Sequence, residues 1–254
     1  MIIVKSPREI VLMREAGKIV ASVFDALKPH IKPGVTTKEL DRIAEQTIRS
    51  QNAIPSFLGY GGFPASICTS INDTLVHGIP DRTKLKEGDI ISIDVGAIYK
   101  GYNGDAARTF AVGNISKEAE DLIRVTEESF FEAMKVIKPG VHLSDISNAI
   151  QVYCEAHGYS LPRDYTGHGI GKEMHEDPAI PNYGTPGHGP ILKEGMCLAI
   201  EPMVNLGRHN TKVMLDNWTV KTVDGKLASH YENTIVVTKD GYEILTMNDD
   251  KKEC

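Results

Sequence analysis

The chain has 254 residues, 41% of them hydrophobic, and a formal net charge of −6. This composition is that of an ordinary globular protein with room for a sizeable core. The acidic balance, without any Lys/Arg-rich run, argues against nucleic acid as a primary ligand. The opening MIIVKSPREI carries a charge at Lys5 and no long apolar core, so it predicts neither a signal peptide nor a membrane span.

The four cysteines lie far apart and form no CxxC pair, which makes a zinc knuckle or a disulfide framework a poor expectation. They are Cys68, Cys154, Cys197 and Cys254. Reduced thiols in a soluble chain without a leader predict a cytoplasmic protein that does not contact a membrane.

The first predicted element is a helix that begins after Ser6. Ser6 can serve as its N-cap, Pro7 suits the first helical position, and Glu9 completes a capping box. Apolar residues then recur at helical spacing as far as Leu27.

Two further helices have their own start signals. Thr36 and Glu39 form a second capping box, which predicts a helix through Arg49. Ser116 is the expected N-cap of a helix whose apolar positions extend to Ile137.

Runs rich in β-branched residues predict strands at 90–98, 108–112, 197–204, 217–223 and 233–238. The order helix, helix, strands occurs twice. We therefore predict an α+β fold in which helices cover one face of a curved, mostly antiparallel sheet.

Two stretches of the chain each have a similar copy later in the sequence. LKEGDIISID at 85–94 and LKEGMCLAIE at 192–201 lie 107 positions apart. KPGVTTKEL at 32–40 matches KPGVHLSDI at 138–146 at an offset of 106. A common turn explains one such match by chance but not two with nearly equal offsets, so a duplication is favoured.

The repeat spans about 7–112 and 116–238, and no Pro/Ser-rich linker separates its copies. We therefore predict a single catalytic domain over residues 1–254 with internal pseudo-symmetry. The second copy is about twenty residues longer, which fits an inserted hairpin around 216–226.

Each copy ends its apolar run with one carboxylate, Asp94 or Glu201. Burying such a charge is unfavourable unless it is paired or bound to a cation. A second acid, Asp105 or Glu232, then precedes a strand in each copy, so the two copies place their acids equivalently. Taken alone, Asp105 could form an Asx-turn and Glu232 could form a cross-strand surface pair, and these alternatives remain open. Taken together, four symmetric acids favour a shared metal site.

A nitrogen ligand is available from His168, which lies between glycines in GHGIG and could otherwise be a turn residue. Four carboxylates and one imidazole suit Mn, Fe, Co or Zn. They are too many for one catalytic cation, which keeps an open position. Two divalent cations would balance the four negative charges and could share a nucleophilic water.

Two more histidines have no evident ligand role. His77 lies in VHGIP and His175 in MHEDP, each beside a proline-containing bend. Both can be structural, and both are suited to proton delivery or oxyanion stabilisation at a metal site.

Taken together, several segments resemble the type I methionine aminopeptidases of the bacterial kind. They are NDTLVHGIP, IDVGA, GDAART, TGHGIGKEMHEDP, AIEPM, DNWTVKTVDG and HYENT. The resemblance covers essentially the whole chain in order. It implies the pita-bread fold, whose two pseudo-symmetric halves agree with the repeat.

The resemblance also implies residue roles. Asp94 would chelate one ion, Asp105 and Glu232 would bridge both, and His168 with Glu201 would complete the other. A metal-bridging hydroxide would attack the first peptide carbonyl, and Glu201 would carry the proton.

By the same resemblance, His77 would lie near the leaving nitrogen and His175 would stabilise the oxyanion. The positions that line the family's methionine pocket are Tyr60, Phe63, Cys68, Met174 and Trp218. At the position of Met174 an aromatic residue is frequent in the family, and at that of Phe57 a cysteine occurs. The resemblance therefore does not predict the shape of the pocket. Ordinary core packing is the alternative for this set.

The implied substrate is the N-terminal methionine of nascent polypeptides, with a small second residue, handled near the ribosome by a monomer without a direct nucleic-acid role. Three alternatives stay open. An Xaa-Pro aminopeptidase or prolidase would share the ligands but usually carries an additional N-terminal domain. A catalytically inactive scaffold would lack ligands, and a mononuclear or structural metal would leave carboxylates in excess.

Overall fold

The computed structural model describes residues 1–247, and Cys254 therefore lies outside the described residues. Four α-helices occur within this range. They are α1 (Pro7–Leu27), α2 (Thr37–Ser50), α3 (Lys117–Met134) and α4 (Leu143–Ala156). None of these helices combines the length and apolarity needed to cross a membrane.

The predicted helix starts are confirmed by their capping bonds. The Ser6 backbone N–H donates to Glu9 Oε2 at 2.8 Å. The N–H of Glu39 donates to Thr36 Oγ1 at 3.2 Å, and that of Ala119 donates to the Ser116 hydroxyl at 3.2 Å. Each cap satisfies backbone donors that the first helical turn leaves unpaired.

The third predicted helix is too long at its end. Helix α3 stops at Met134, three residues before the expected end at Ile137. Pro139 follows closely and disfavours helical backbone at the residue before it, so the chain turns instead.

Fourteen strands lie within residues 1–247. They are β1 (Ile54–Pro55), β2 (Ile67–Ile71), β3 (Thr74–Val76), β4 (Ile90–Tyr99), β5 (Tyr102–Ala111), β6 (Thr166–Gly169), β7 (Glu176–Pro181), β8 (Cys197–Ile200), β9 (Met203–Asn205), β10 (Thr211–Val213), β11 (Val220–Thr222), β12 (Ala228–His230), β13 (Glu232–Val237) and β14 (Tyr242–Ile244).

Within the described residues, nine strands form one antiparallel sheet in the order β1-β4-β5-β13-β8-β6-β7, with β2 on β4 and β14 on β13. Two smaller sheets pair β3, β10 and β11, and β9 with β12. The predicted α+β class is confirmed. The strand pair β5–β13 at the centre of the sheet joins the first half of the chain to the second.

Three predicted strands differ from the observed ones. The run 197–204 is broken between Ile200 and Met203, where Pro202 lacks the N–H that a continuous ladder needs. Strand β5 begins at Tyr102, well before the predicted 108, because pairing with β4 overrides the low strand propensity of the sequence NGDAA. The run 217–223 contributes only Val220–Thr222.

The two largest apolar clusters of the described residues hold the layers together, one in each half. The first core packs α1 and α2 on β4 and β5, and it includes Val20, Leu27, Leu40, Ile91 and Ile93. The second packs α3 and α4 on β8 and β13, and it includes Phe130, Ile146, Ile150, Leu198 and Ile235. These cores fix the four central strands, which carry the predicted acids or lead into them.

Candidate metal centre

The four predicted acids meet on one face of the central sheet. In the first half, Asp94 on β4 faces Ala107 on β5, and Asp105 faces Gly96. Residues directly opposite in an antiparallel pair share a face, as do residues two apart on one strand. Asp94 and Asp105 therefore project to the same side.

The same row continues into the second half. Glu232 on β13 faces Ala107 of β5. The Tyr231 N–H donates to Pro202 O at 3.1 Å, in the register that places Glu232 opposite Glu201. Asp94, Ala107, Glu232 and Glu201 thus form one row across four strands. The small side chain of Ala107 leaves room between the carboxylates.

His168 completes the predicted set from β6. Its Nε2 atom lies 3.7 Å from Asp105 Oδ2 and 3.7 Å from Glu201 Oε1. Its Nδ1 atom donates to the carbonyl of Gly169 at 2.8 Å, because a carbonyl can only accept. This bond holds the tautomer in which the Nε2 lone pair faces the carboxylates, as a metal-binding imidazole requires.

A second imidazole, that of His230, is not among the ligands that the sequence predicts. Its Nε2 atom lies 3.5 Å from Glu201 Oε2 and 3.7 Å from Glu232 Oε2. Glu201 thus lies between two histidines, one near each of its oxygens. The signal was available in HYE, since two residues separated by one in an extended chain share a face.

The cluster fits divalent cations. Asp94 Oδ1, Asp105 Oδ1, Glu232 Oε1 and His230 Nε2 are buried and have no hydrogen-bond partner within the described part of the chain. Two groups of ligand atoms are compact enough for an ion: Asp94, His230 and Glu232, and Asp105, His168 and Glu232. Glu232 belongs to both groups, as a carboxylate shared by two adjacent metals would.

Burial shifts the pKa values of the cluster in directions that a bound cation would oppose at the carboxyl groups. Burial raises the pKa of Asp94 to about 7 and raises the pKa values of the other three carboxyl groups well above their usual range. Burial lowers the pKa values of His168 and His230 to about 4. Neutral imidazoles offer lone pairs, and a bound cation favours the ionised carboxylates that burial disfavours.

His77 and His175 border this cluster. The His175 ring lies 4.3 Å from the His168 ring between centroids, and its Nδ1 shares a 2.8 Å hydrogen bond with the Tyr60 hydroxyl. His77 has a φ of 59°, in the left-handed region that side chains rarely adopt, and meets the Trp218 ring edge-on. Burial lowers the pKa of His77 to about 4 and also lowers that of His175.

A cavity of about 130 Å³ opens directly onto the acids. Its wall combines the polar residues of the cluster with apolar and aromatic ones. The polar residues are His77, His175 and the five predicted ligands, and the others are Phe57, Tyr60, Phe63, Cys68 and Trp218. Phe63 and Trp218 pack edge to face with centroids 5.1 Å apart. The predicted pocket residues thus come together around one cavity, with one exception.

The exception is Met174. It does not belong to the cavity wall, is only 3% exposed, and packs in a core cluster with Phe57, which does line the cavity. A Cβ atom at Gly96 would lie 2.8 Å from Met174 Cε and from Phe57 Cε1. Met174 therefore supports the wall from behind.

A second cavity, of about 230 Å³, borders two of the four acids, Asp94 and Glu201. It shares His77, His175, Asp94 and Glu201 with the first and adds Tyr165, Thr166, Met203 and His230. These two acids therefore border both the apolar cavity and a more polar one.

Comparison with known proteins places this geometry in a class. The chain belongs to metallopeptidase family M24, whose profile matches residues 11–239. The chain is 60% identical over 248 residues to a methionine aminopeptidase from Clostridium acetobutylicum, covering 97% of this chain and 99% of that protein. The predicted resemblance is confirmed.

Solved structures agree on the pita-bread fold. The crystal structure of methionine aminopeptidase from Rickettsia prowazekii superposes with a TM-score of 0.96 at 48% identity, covering 97% of this chain and all of that one. A prolidase from Pyrococcus furiosus has a TM-score of 0.80 at 25% identity, and the match covers 97% of this chain but only 66% of the prolidase. The fold is thus common to both activities, and the prolidase has additional chain.

Proposed function

We propose that this chain is a methionine aminopeptidase that uses two divalent cations, Co, Mn, Fe or Zn, to remove the N-terminal methionine of nascent proteins and peptides. The observation that carries the proposal is the meeting of five metal-ligand positions with an apolar, aromatic cavity of about 130 Å³. An unbranched thioether side chain suits such a wall. Relatives of that name at 60% identity support the same activity.

Asp94, Asp105, His168, Glu201 and Glu232 would hold the cations. In this proposal Asp105 and Glu232 would be shared by the two cations, Asp94 would serve one of them, and His168 with Glu201 would serve the other. Bound cations supply Lewis acidity, which activates water and polarises the scissile carbonyl at neutral pH.

Glu201 is the proposed proton carrier. Its side chain is 12% exposed, the most open of the carboxylates in contact with a histidine of the cluster. It borders both cavities, so it can take a proton from the attacking water and deliver it toward the leaving amine.

His77 and His175 are proposed to act on the peptide bond itself. Both line both cavities, so both face the junction where the first peptide bond would lie. A neutral imidazole there can donate a hydrogen bond to the substrate. His175 would stabilise the oxyanion while Tyr60 orients its ring, and His77 would contact the leaving nitrogen.

The substrate would be divided between the two cavities. The methionine side chain would lie against Phe63, Cys68 and Trp218, and Met174 would hold Phe57 in place. Residues after the scissile bond would enter the second cavity, where the rings of His77 and Tyr165 lie 6.1 Å apart between centroids. These rings limit the space beside the bond, which supports a preference for a small second residue.

A direct assay tests the proposal. The purified protein, stripped with a chelator and reloaded with Mn, Co or Fe, is offered Met-Ala-Ser and an Ala-Pro peptide side by side. We expect methionine release that disappears on chelation and returns with metal. Release of alanine from Ala-Pro without methionine release would assign the chain to the Xaa-Pro enzymes instead.

We also propose a cytoplasmic monomer with one domain, which meets nascent chains near the ribosome. Cys68, Cys154 and Cys197 are free and buried within the described residues. Cell fractionation, light scattering at micromolar concentration, ribosome co-sedimentation and one cooperative unfolding transition are the respective tests.

A further inference from the structure

The geometry points to His230 as a sixth protein ligand of the metal centre, bound through Nε2 to the cation that Asp94 and Glu232 hold. The inference rests on the proposed two-metal site and adds a nitrogen ligand to it. It concerns a residue outside the five positions that the sequence predicts.

The first support is the register of the two hairpins. In the first half, Asp105 pairs with Gly96, which lies two residues after Asp94. In the second half, His230 pairs with Met203, which lies two residues after Glu201. His230 therefore occupies the position in its hairpin that Asp105 occupies in the first. Glu232, by the same register, corresponds to Ala107, so the predicted equivalence of Asp105 and Glu232 in the two copies is wrong.

The second support is the environment of the nitrogen atom. His230 is 2% exposed, and its Nε2 atom has no hydrogen-bond partner among the described residues. An unpaired buried polar atom is unfavourable unless something binds it. Glu201 Oε2 and Glu232 Oε2 lie 3.5 and 3.7 Å away. Ligand atoms about 2.0–2.2 Å from one cation lie about 3–3.5 Å from each other, so little adjustment closes this shell.

The third support is the way the backbone of His230 is held. Its N–H donates to the Thr109 hydroxyl oxygen at 3.1 Å, and that hydroxyl reaches the His230 carbonyl at 2.9 Å. The Ser229 hydroxyl also lies 3.0 Å from Thr109 Oγ1. Both sides of the residue are therefore fixed to β5, which preorganises the imidazole toward the acids.

With His230 bound, each cation has an imidazole of its own. His168 serves the cation beside Asp105, and His230 serves the cation beside Asp94. Loss of His230 should therefore weaken one cation site selectively. We expect its affinity for Co²⁺ to fall at least tenfold while the His168 site is retained.

Proton NMR of the cobalt-loaded protein tests this directly. The ring N–H of a histidine bound to paramagnetic Co²⁺ gives a strongly shifted signal that exchanges with water. We expect two such signals from the wild-type protein with two Co²⁺ bound. His230→Gln should lose one of them, and His168→Gln, the matched control, should lose the other.

Titration of the metal-free protein with Co²⁺ by calorimetry gives the second readout, and circular dichroism of each metal-free variant checks its fold. A wild-type protein that binds two Co²⁺ with only the His168 signal, or a His230→Gln variant with unchanged signals and affinities, overturns the assignment of His230 while leaving the proposed function intact. Failure of the wild-type protein to bind Co²⁺ would overturn the metal site itself. If His230→Gln does not fold, the number of signals in the wild-type protein still decides.

Discussion

The two halves of the molecule contain hairpins with the same register, but the connection between the paired strands is short in the first half and long in the second. In the first half, the ladder between β4 and β5 begins where Ile90 pairs with Ala111 and ends where Tyr99 pairs with Tyr102. The turn between the strands is only Lys100 and Gly101. In the second half, the same register extends from the pair of Cys197 and Val236, on β8 and β13, to the pair of Asn205 and Ala228, on β9 and β12. It is interrupted at Pro202. The chain then leaves the sheet for residues 206–227 before it returns.

This difference shows where the chemical asymmetry of the site comes from. The shared ladder places one acid in each half, Asp94 and Glu201, at matching positions. The long closing segment of the second half adds β10, β11 and Trp218, which closes the apolar cavity. A single exchange of residue type, Asp105 against His230, changes the ligand at an otherwise equivalent position.

The largest effect is expected from the acid that only the first hairpin supplies. Asp105→Ala should abolish metal occupancy and lower kcat/KM by at least about 10³, or about 4 kcal/mol of transition-state stabilisation. Metal analysis and methionine-release kinetics measure both. Asp121→Ala, an acid on the exposed face of α3, is the control and should change neither. Full turnover in Asp105→Ala would show that Asp105 does not bridge the cations.

The next effect concerns stability across the halves. Lys5 precedes α1 of the first half, yet its ammonium pairs at 2.5 Å with Glu176 of the second, and the two side chains are 3% and 6% exposed. Lys5→Met would leave a buried carboxylate unpaired, and we expect the unfolding free energy to fall by about 3–5 kcal/mol. Urea unfolding measures it.

The double variant Lys5→Met/Glu176→Met is the matched control for this ion pair. It should recover most of the loss, because neither charge is then left without its partner. A double variant no more stable than Lys5→Met would show that packing, not charge, explains the effect.

His77, on the first-half side of the cavity, separates catalysis from metal binding. His77→Ala should lower kcat by about 10², the scale of one positioned proton donor, with metal content unchanged. His157→Ala changes an exposed histidine at the end of α4 and should leave kcat as it was. Metal loss in His77→Ala would place that residue among the ligands.

The smallest effect is expected on stability, from a substitution in α1 at a position where the two halves differ. Gly17 of α1 matches Ile123 of α3 at the repeat offset, and a Cβ at Gly17 would come within 2.1 Å of Leu245 O. Gly17→Ala should therefore destabilise the protein by about 1–3 kcal/mol despite the higher helix propensity of alanine. Thermal unfolding measures it, with the exposed Lys18→Ala as control. An unchanged Tm would mean that α1 can move off the sheet freely.

Local signals explain how much of the fold could be predicted. The starts of α1, α2 and α3 could be predicted because each N-cap residue and its partner lie within a segment of four residues. The end of α3 and the break at Pro202 were harder, because apolar patterns continue through both. Strand β5 could not be recognised in NGDAA, since only its ladder with β4 makes that segment extended.

For the site, the sequence by itself determined the acids, because a carboxylate at the end of each repeated apolar run has few uses other than a charged partner. Resemblance to a known family added His77, His175 and the cavity wall. The tertiary structure alone decided that His230 joins the acids and that Met174 lies behind Phe57. The reason is physical: HYE places His230 on the same face as Glu232, but the approach of His230 to Asp94 and Glu201, like the packing of Met174, depends on register and packing between segments far apart in the chain.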